Sequence, residues 1–176
     1  MARNYHYPAK GLLRRYYANG DFLDGQSVPL PHPAPDAATL TIATFFNMPR
    51  WVVALLALRD RLVTPLGLKT GTELDLRPPT RDEIVSATYP GIFAVHAATD
   101  DEVILGSDDK HLDFRISILR SRQDDLVALS TWVRPHNLLG RTYLTLVYPF
   151  HRLIVARCLA NATGLGIAKQ SPASTC

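Results

Sequence analysis

The sequence predicts an α+β domain: a curved antiparallel sheet packed on a long C-terminal helix, with two short helices after the first strand. Three observations predict it. From Ile92 to Pro135 apolar and polar residues alternate, with turn residues between the runs. From Asn137 to Thr163 the apolar spacing becomes helical. Two further helical patterns follow the strand-like segment Asp21 to Leu30. A sheet with one apolar face must cover it, and the last helix is the element available to do so.

The elements follow in order. Residues 1–20 are polar and aromatic, with Arg14, Arg15, Tyr16 and Tyr17 in a cluster, and read as an N-terminal arm. Residues 21–30 read as an edge-type strand, ended by Pro29, Pro31, Pro33 and Pro35 because proline cannot serve a central ladder. Asp36 is placed to cap a helix to about Phe46, its carboxylate accepting from first-turn amides. Asn47 caps a second, with Pro49 in its first turn. Trp51, Leu55, Leu58 and Leu62 form its apolar stripe, and Pro65 and Gly67 stop it.

Residues 67–90 are ambiguous: Glu73 to Leu76 reads as a short strand, and Pro78-Pro79 with Thr80 to Glu83 as a loop. Strands are then expected at 92–98, 102–106, 111–121 and 126–135. Asn137 caps the closing helix, and Gly164 and Gly166 end it. Residues 21–164 therefore form one domain, and 165–176 a flexible tail.

Composition narrows the classes. The chain has 176 residues, enough for a domain that buries roughly 70% of its unfolded surface without staples. Its net charge of +3, from 19 basic and 16 acidic residues, is too mild to imply nucleic acid. Cys158 lies in a helix and Cys176 is the last residue, so both read as free thiols of a reducing compartment. No apolar run approaches the ~18 residues of a membrane span, and the N-terminus lacks a signal-peptide core. A cytoplasmic protein is expected.

The turn at Ser121 to Leu126 sets a hairpin. Centred between Gln123 and Asp124, it puts His111 opposite His136, Asp113 opposite Arg134, Arg115 opposite Trp132 and Ser117 opposite Ser130. On the other face Phe114 meets Val133, Ile116 meets Thr131 and Ile118 meets Leu129. A one-residue slip would turn the apolar set to the wrong side, so the pattern fixes the parity. An antiparallel sheet commonly wets its polar face. Asp113–Arg134 is then a surface ion pair and Arg115 over Trp132 an exposed cation–π contact. Alternatively the large indole marks a pocket or a subunit interface, as in a homodimer.

His111, Asp113 and His136 are two imidazoles and a carboxylate, a set that suits ferrous iron. Arg134 and Arg115 compete for Asp113 and oppose a dication, so no metal is assigned. No Gly-x-Ser-x-Gly elbow, dinucleotide fingerprint or phosphate loop is present, and no cofactor is implied.

In the closing helix Leu139, Tyr143, Leu146, Phe150 and Leu153 recur as a core stripe. Pro149 collides with the carbonyl of Thr145, so a kink or break is expected there. A cavity beneath it would be lined by Tyr143, Phe150 and the apolar sheet face. His151 is placed to bond a freed carbonyl.

The element order resembles the helix-grip (START-like) fold of lipid-transfer, birch-pollen-allergen and polyketide-cyclase proteins. Pro49-Arg50-Trp51, Pro65-Leu66-Gly67-Leu68, His111-Leu-Asp-Phe-Arg115, Ser130-Thr131, His136-Asn137, Gly140-Arg141-x-Tyr143 and Pro149-Phe150-His151-Arg152 together resemble an uncharacterised bacterial domain-of-unknown-function family. It occurs alone or behind a short-chain-dehydrogenase-like reductase domain. The resemblance runs over residues 20–160 and implies no activity.

Three functions follow as expectations. The first is a small-molecule binding protein for an apolar, aromatic or lipid-like metabolite. Its ligand-binding candidates are His111, Asp113, Arg115, Thr131, Trp132, Arg134, His136, Arg141, Tyr143, Phe150 and His151. The second is a cyclase- or isomerase-type enzyme using His111 and Asp113 as its acid–base pair. The third is an accessory domain docking on a reductase through the polar sheet face.

Overall fold

The computed structural model describes residues 2–46, 77–89, 91 and 93–168, with the isolated helical positions Trp51, Ala54, Ala57 and Arg61. Six strands form one antiparallel sheet: β1 (Arg3–Asn4), β2 (Phe22–Pro29), β3 (Ala94–Ala98), β4 (Glu102–Asp108), β5 (Leu112–Ser121) and β6 (Leu126–Pro135). Their spatial order is β1-β2-β6-β5-β4-β3. Helix α1 is Ala37–Phe45, α2 is Arg81–Val85 and α3 is Leu138–Ala168.

The sheet follows from the hairpin register. β5 and β6 pair Asp113 with Arg134, Arg115 with Trp132 and Ser117 with Ser130, as the alternation requires. Beyond the ladder, the His136 amide donates to the His111 carbonyl at 2.9 Å, which closes the hairpin's open end. β2 is not an edge strand. It pairs along its length with β6, and β1 holds its other side. Pro29 is tolerated because it ends the ladder, opposite Leu126.

Phe114, Ile116, Ile118, Leu129 and Val133 face the helical layer with Val103 and Leu105. There all but Val133 share one core with Leu40 and Phe45 of α1 and with Val155, Cys158 and Leu159 of α3. Asp36 caps α1, its Oδ1 accepting from Thr39 N at 2.8 Å. Asn137 caps α3, its Oδ1 accepting from Gly140 N at 3.0 Å. The Cys158 thiol is free and buried, and burial pushes its pKa up to about 11.

Several expectations are corrected. Residues 81–85 are helical, not a loop: Thr80 and Glu83 exchange hydrogen bonds as a capping box. α3 has no break at Pro149 and passes Gly164 and Gly166 to reach Ala168. Three of the five residues of its expected core stripe face outward, Leu146 at 69% exposed, Phe150 at 48% and Leu153 at 63%, while Leu139 and Tyr143 are half-buried. The buried side instead carries Val155, Cys158, Leu159 and Ala162, about two positions round the helix. Trp51 lies in a helix as expected but is 49% exposed. Leu55, Leu58, Leu62, the proposed strand Glu73 to Leu76, Cys176 and residues 169–176 lie outside the described residues.

Candidate functional site

The polar face of the hairpin is covered by the chain's own N-terminal segment. Residues 12–15 form a 3-10 helix, and Tyr7, Leu13, Ile104 and Trp132 make a second apolar cluster on this side. Trp132 is 2% exposed and Arg115 6%, so the expectation of a wet face fails.

The polar partners also differ from those expected. Arg134 does not pair with Asp113. It grips Asp21, with Nε–Oδ1 at 3.1 Å and Nη2–Oδ2 at 2.7 Å. The Trp132 indole N–H donates to the same Oδ2 at 2.9 Å. These donors, Arg134 foremost, hold the Asp21 carboxyl down at about 2. Arg115 does not lie over Trp132. Its Nη1 donates to Asp108 Oδ1 at 2.6 Å, and its guanidinium sits 4.9 Å above the Tyr16 ring. Trp132 takes its cation–π contact from Arg134, at 5.1 Å. Gly106 makes the Arg115 path available, because a Cβ there would stand 2.6 Å from Arg115 Cδ.

His111 and Asp113 bond to different partners. Asp113 Oδ2 meets His136 Nε2 at 3.0 Å, whereas His111 Nδ1 meets Asn137 Nδ2 at 3.0 Å and its Nε2 is buried without a partner. The expected trio thus splits. Among the described residues no three His, Cys, Asp or Glu side chains converge as metal ligands. Gly140 belongs to this corner, since a Cβ there would stand 2.2 Å from the His111 carbonyl oxygen.

On the helix-facing side Thr131 lies opposite Asp24 of β2. Thr131 Oγ1, Asp24 Oδ2 and His151 Nε2 are all buried and unpartnered. Burial lowers the His151 pKa, with Asp24 opposing. Asp24 Oδ1 accepts from Arg152 Nη1 at 3.0 Å. Sequence reasoning missed Asp24; the signal was an acidic residue on the same side of β2 as Phe22 and Val28.

Open space lies elsewhere, along the N-terminal half of α3. One groove of about 720 Å³ is lined by Asp21, Phe22, Pro135, Arg141, Leu144 and Thr145, with Asn19 and Gly20. A second of about 500 Å³ is lined by Thr142, Thr145, Leu146, Pro149 and Phe150. Thr145 is common to both, so they adjoin. Both grooves lie on the flank of α3. Arg141 lines the first and Phe150 the second, whereas Tyr143 is half-buried and lines neither. Arg141 is exposed and has no ion-pair partner among the described residues.

A family model described as protein of unknown function (DUF2867) matches residues 17–158. The chain belongs to that family. No curated protein and no solved structure matches the chain significantly. The matched span holds the whole groove and the hairpin, while residues 2–16 fall before it. Among the described residues, no helix is long and apolar enough to cross a membrane.

Proposed function

We propose that this protein binds an amphipathic small molecule, an apolar or aromatic body with an acidic end, in the groove along α3. The observation that carries the reading is the pairing of Arg141 at one end with exposed Leu146, Pro149 and Phe150 at the other. Contiguous exposed apolar side chains commonly mark a binding surface. A few polar groups then fix the ligand's orientation, and a guanidinium suits a carboxylate. The strand order, with the first long strand against the last and a meander between, supports a helix-grip reading of the fold.

Calorimetric titration with dodecanoate tests this. Arg141→Ala should weaken binding by about tenfold, the loss of one charge-assisted contact. Phe150→Asp should abolish it. Absence of binding, or binding indifferent to both substitutions, overturns the reading.

A second reading, a proton-transfer enzyme, draws on the Asp113–His136 contact at 3.0 Å rather than on His111. Its test is loss of any turnover in His136→Gln with the fold retained. Docking on a reductase through the polar face draws no support, because the N-terminal segment covers that face.

A further inference from the structure

We propose that the face beneath residues 5–16 is a second binding site, one for a phenolic group, and that the chain's own Tyr7 occupies it as a plug. The site goes beyond the groove on α3 and lies on the opposite side of the sheet.

The matched family span begins at residue 17, so the cover lies before it and the covered face lies within it. That face is built like a pocket floor. Glu102 is 4% exposed, and no cation pairs with it among the described residues. Its carboxylate takes the Tyr7 hydroxyl on Oε1 and the Leu12 amide on Oε2, the latter at 2.9 Å. Both donors belong to the cover. The sheet itself supplies one donor, Ser117 Oγ at 2.6 Å. Two of the carboxylate's three donors thus come from the cover, and displacing it frees both acceptor positions for another donor.

Two further groups point the same way. Ser130 is 1% exposed and its Oγ has no partner; Arg115 is 6% exposed and its Nε has none. Buried polar atoms are almost always satisfied, so unpartnered ones beneath this segment suit a ligand.

The chemistry of the occupant is read from Tyr7. Its hydroxyl donates to Glu102 and accepts from Leu13 N at 2.8 Å, while its ring packs with Ile104 and Trp132. Burial and then the Glu102 contact raise the phenol's pKa, so it stays protonated and donates. A flat apolar ring carrying one neutral O–H is what this floor recognises. Tyr16 holds the end of the cover, between the Arg115 guanidinium at 4.9 Å and the Trp132 ring at 5.8 Å.

Binding of p-cresol to the full-length chain, followed by amide NMR, tests the proposal, with toluene as the control lacking the hydroxyl. Leu13→Ala loosens the cover without touching Glu102. Raising the open fraction from about 1% to about 10% lowers the apparent Kd about tenfold. We expect that gain, with the signals of residues 5–16 moving to random-coil positions while those of β5 and β6 stay. Glu102→Leu, which removes the acceptor, should remove the preference for p-cresol over toluene. Hydrogen exchange of the unsubstituted chain is the second measurement: amides of residues 5–16 should exchange at least about tenfold faster than those of β5 and β6. The proposal is overturned if Leu13→Ala folds and binds no p-cresol. It also fails if binding leaves the signals of residues 5–16 unmoved, or if those amides exchange only with global unfolding.

Discussion

Asp21 and Arg134 join the start of β2 to the end of β6 through two hydrogen bonds, 3.1 and 2.7 Å long. The same carboxylate takes the Trp132 indole and the Ala18 amide, each at 2.9 Å. One side chain thus fastens the Ala18 turn, the indole and the guanidinium together. Asp21→Asn should cost about 1–3 kcal/mol, as charge-assisted bonds to a half-buried carboxylate are lost. Urea denaturation at pH 7 measures it.

The same residue sets an acid limit. Its pKa is depressed in the folded state, to about 2 against an ordinary 3.8, so the unfolded chain binds the proton first. Asp21's contribution is therefore full above about pH 4 and is lost as pH falls toward 2. Denaturation midpoints at pH 5 and pH 3 should differ less in Asp21→Asn than in the unsubstituted chain.

His151 works at milder pH. Burial lowers its pKa, with Asp24 opposing and Arg152 adding to the shift. A depressed histidine favours the neutral folded form, so stability declines as pH falls below the ordinary value near 6.5. His96 is lowered by burial and by Arg115 and adds to the same slope. Replacing His151 with Asn should flatten the decline between pH 7.5 and 5.5, as measured by chemical denaturation.

Two glycines of α3 should respond with opposite signs. Gly140→Ala drives a Cβ to within 2.2 Å of the His111 carbonyl and should cost about 1–3 kcal/mol. Gly164 has nothing within 4 Å, and an alanine inside a helix should gain about 0.5–1 kcal/mol there. Thermal melts of the two variants check both signs.

The outward stripe of α3 makes a further contrast. Leu146→Gln should change stability by no more than about 0.5 kcal/mol, since the side chain is 69% exposed. Leu159→Ala, at a fully buried position, should cost about 2–5 kcal/mol. Equal losses in a denaturation assay would contradict the helix's orientation.

The hairpin was legible because strand alternation has a period of two and admits one parity; Asp113, Arg115, Trp132 and Arg134 lie where that parity puts them. Their partners were not legible. Asp21 precedes β2 and Asp108 ends β4, so both reach the polar face from outside the hairpin. The phase of α3 misled because the helix carries two apolar stripes, and spacing alone does not choose between Leu146–Phe150–Leu153 and Val155–Leu159–Ala162. The α2 start was available as Thr80-x-x-Glu83, a capping-box signature masked by the prolines before it. The cover over Trp132 had no periodic signal: Tyr7 and Leu13 find their places by packing on a face they do not adjoin in sequence.

β2 zips onto β6, about a hundred residues further along the chain. A ribosome releasing this polypeptide would therefore expose the earlier strand, Phe22 and Val28 included, well before its mate emerges. The meander β3 to β6 has neighbours in hand and is free to assemble first. Closure of the sheet then becomes a late event that carries the entropic cost of a long loop.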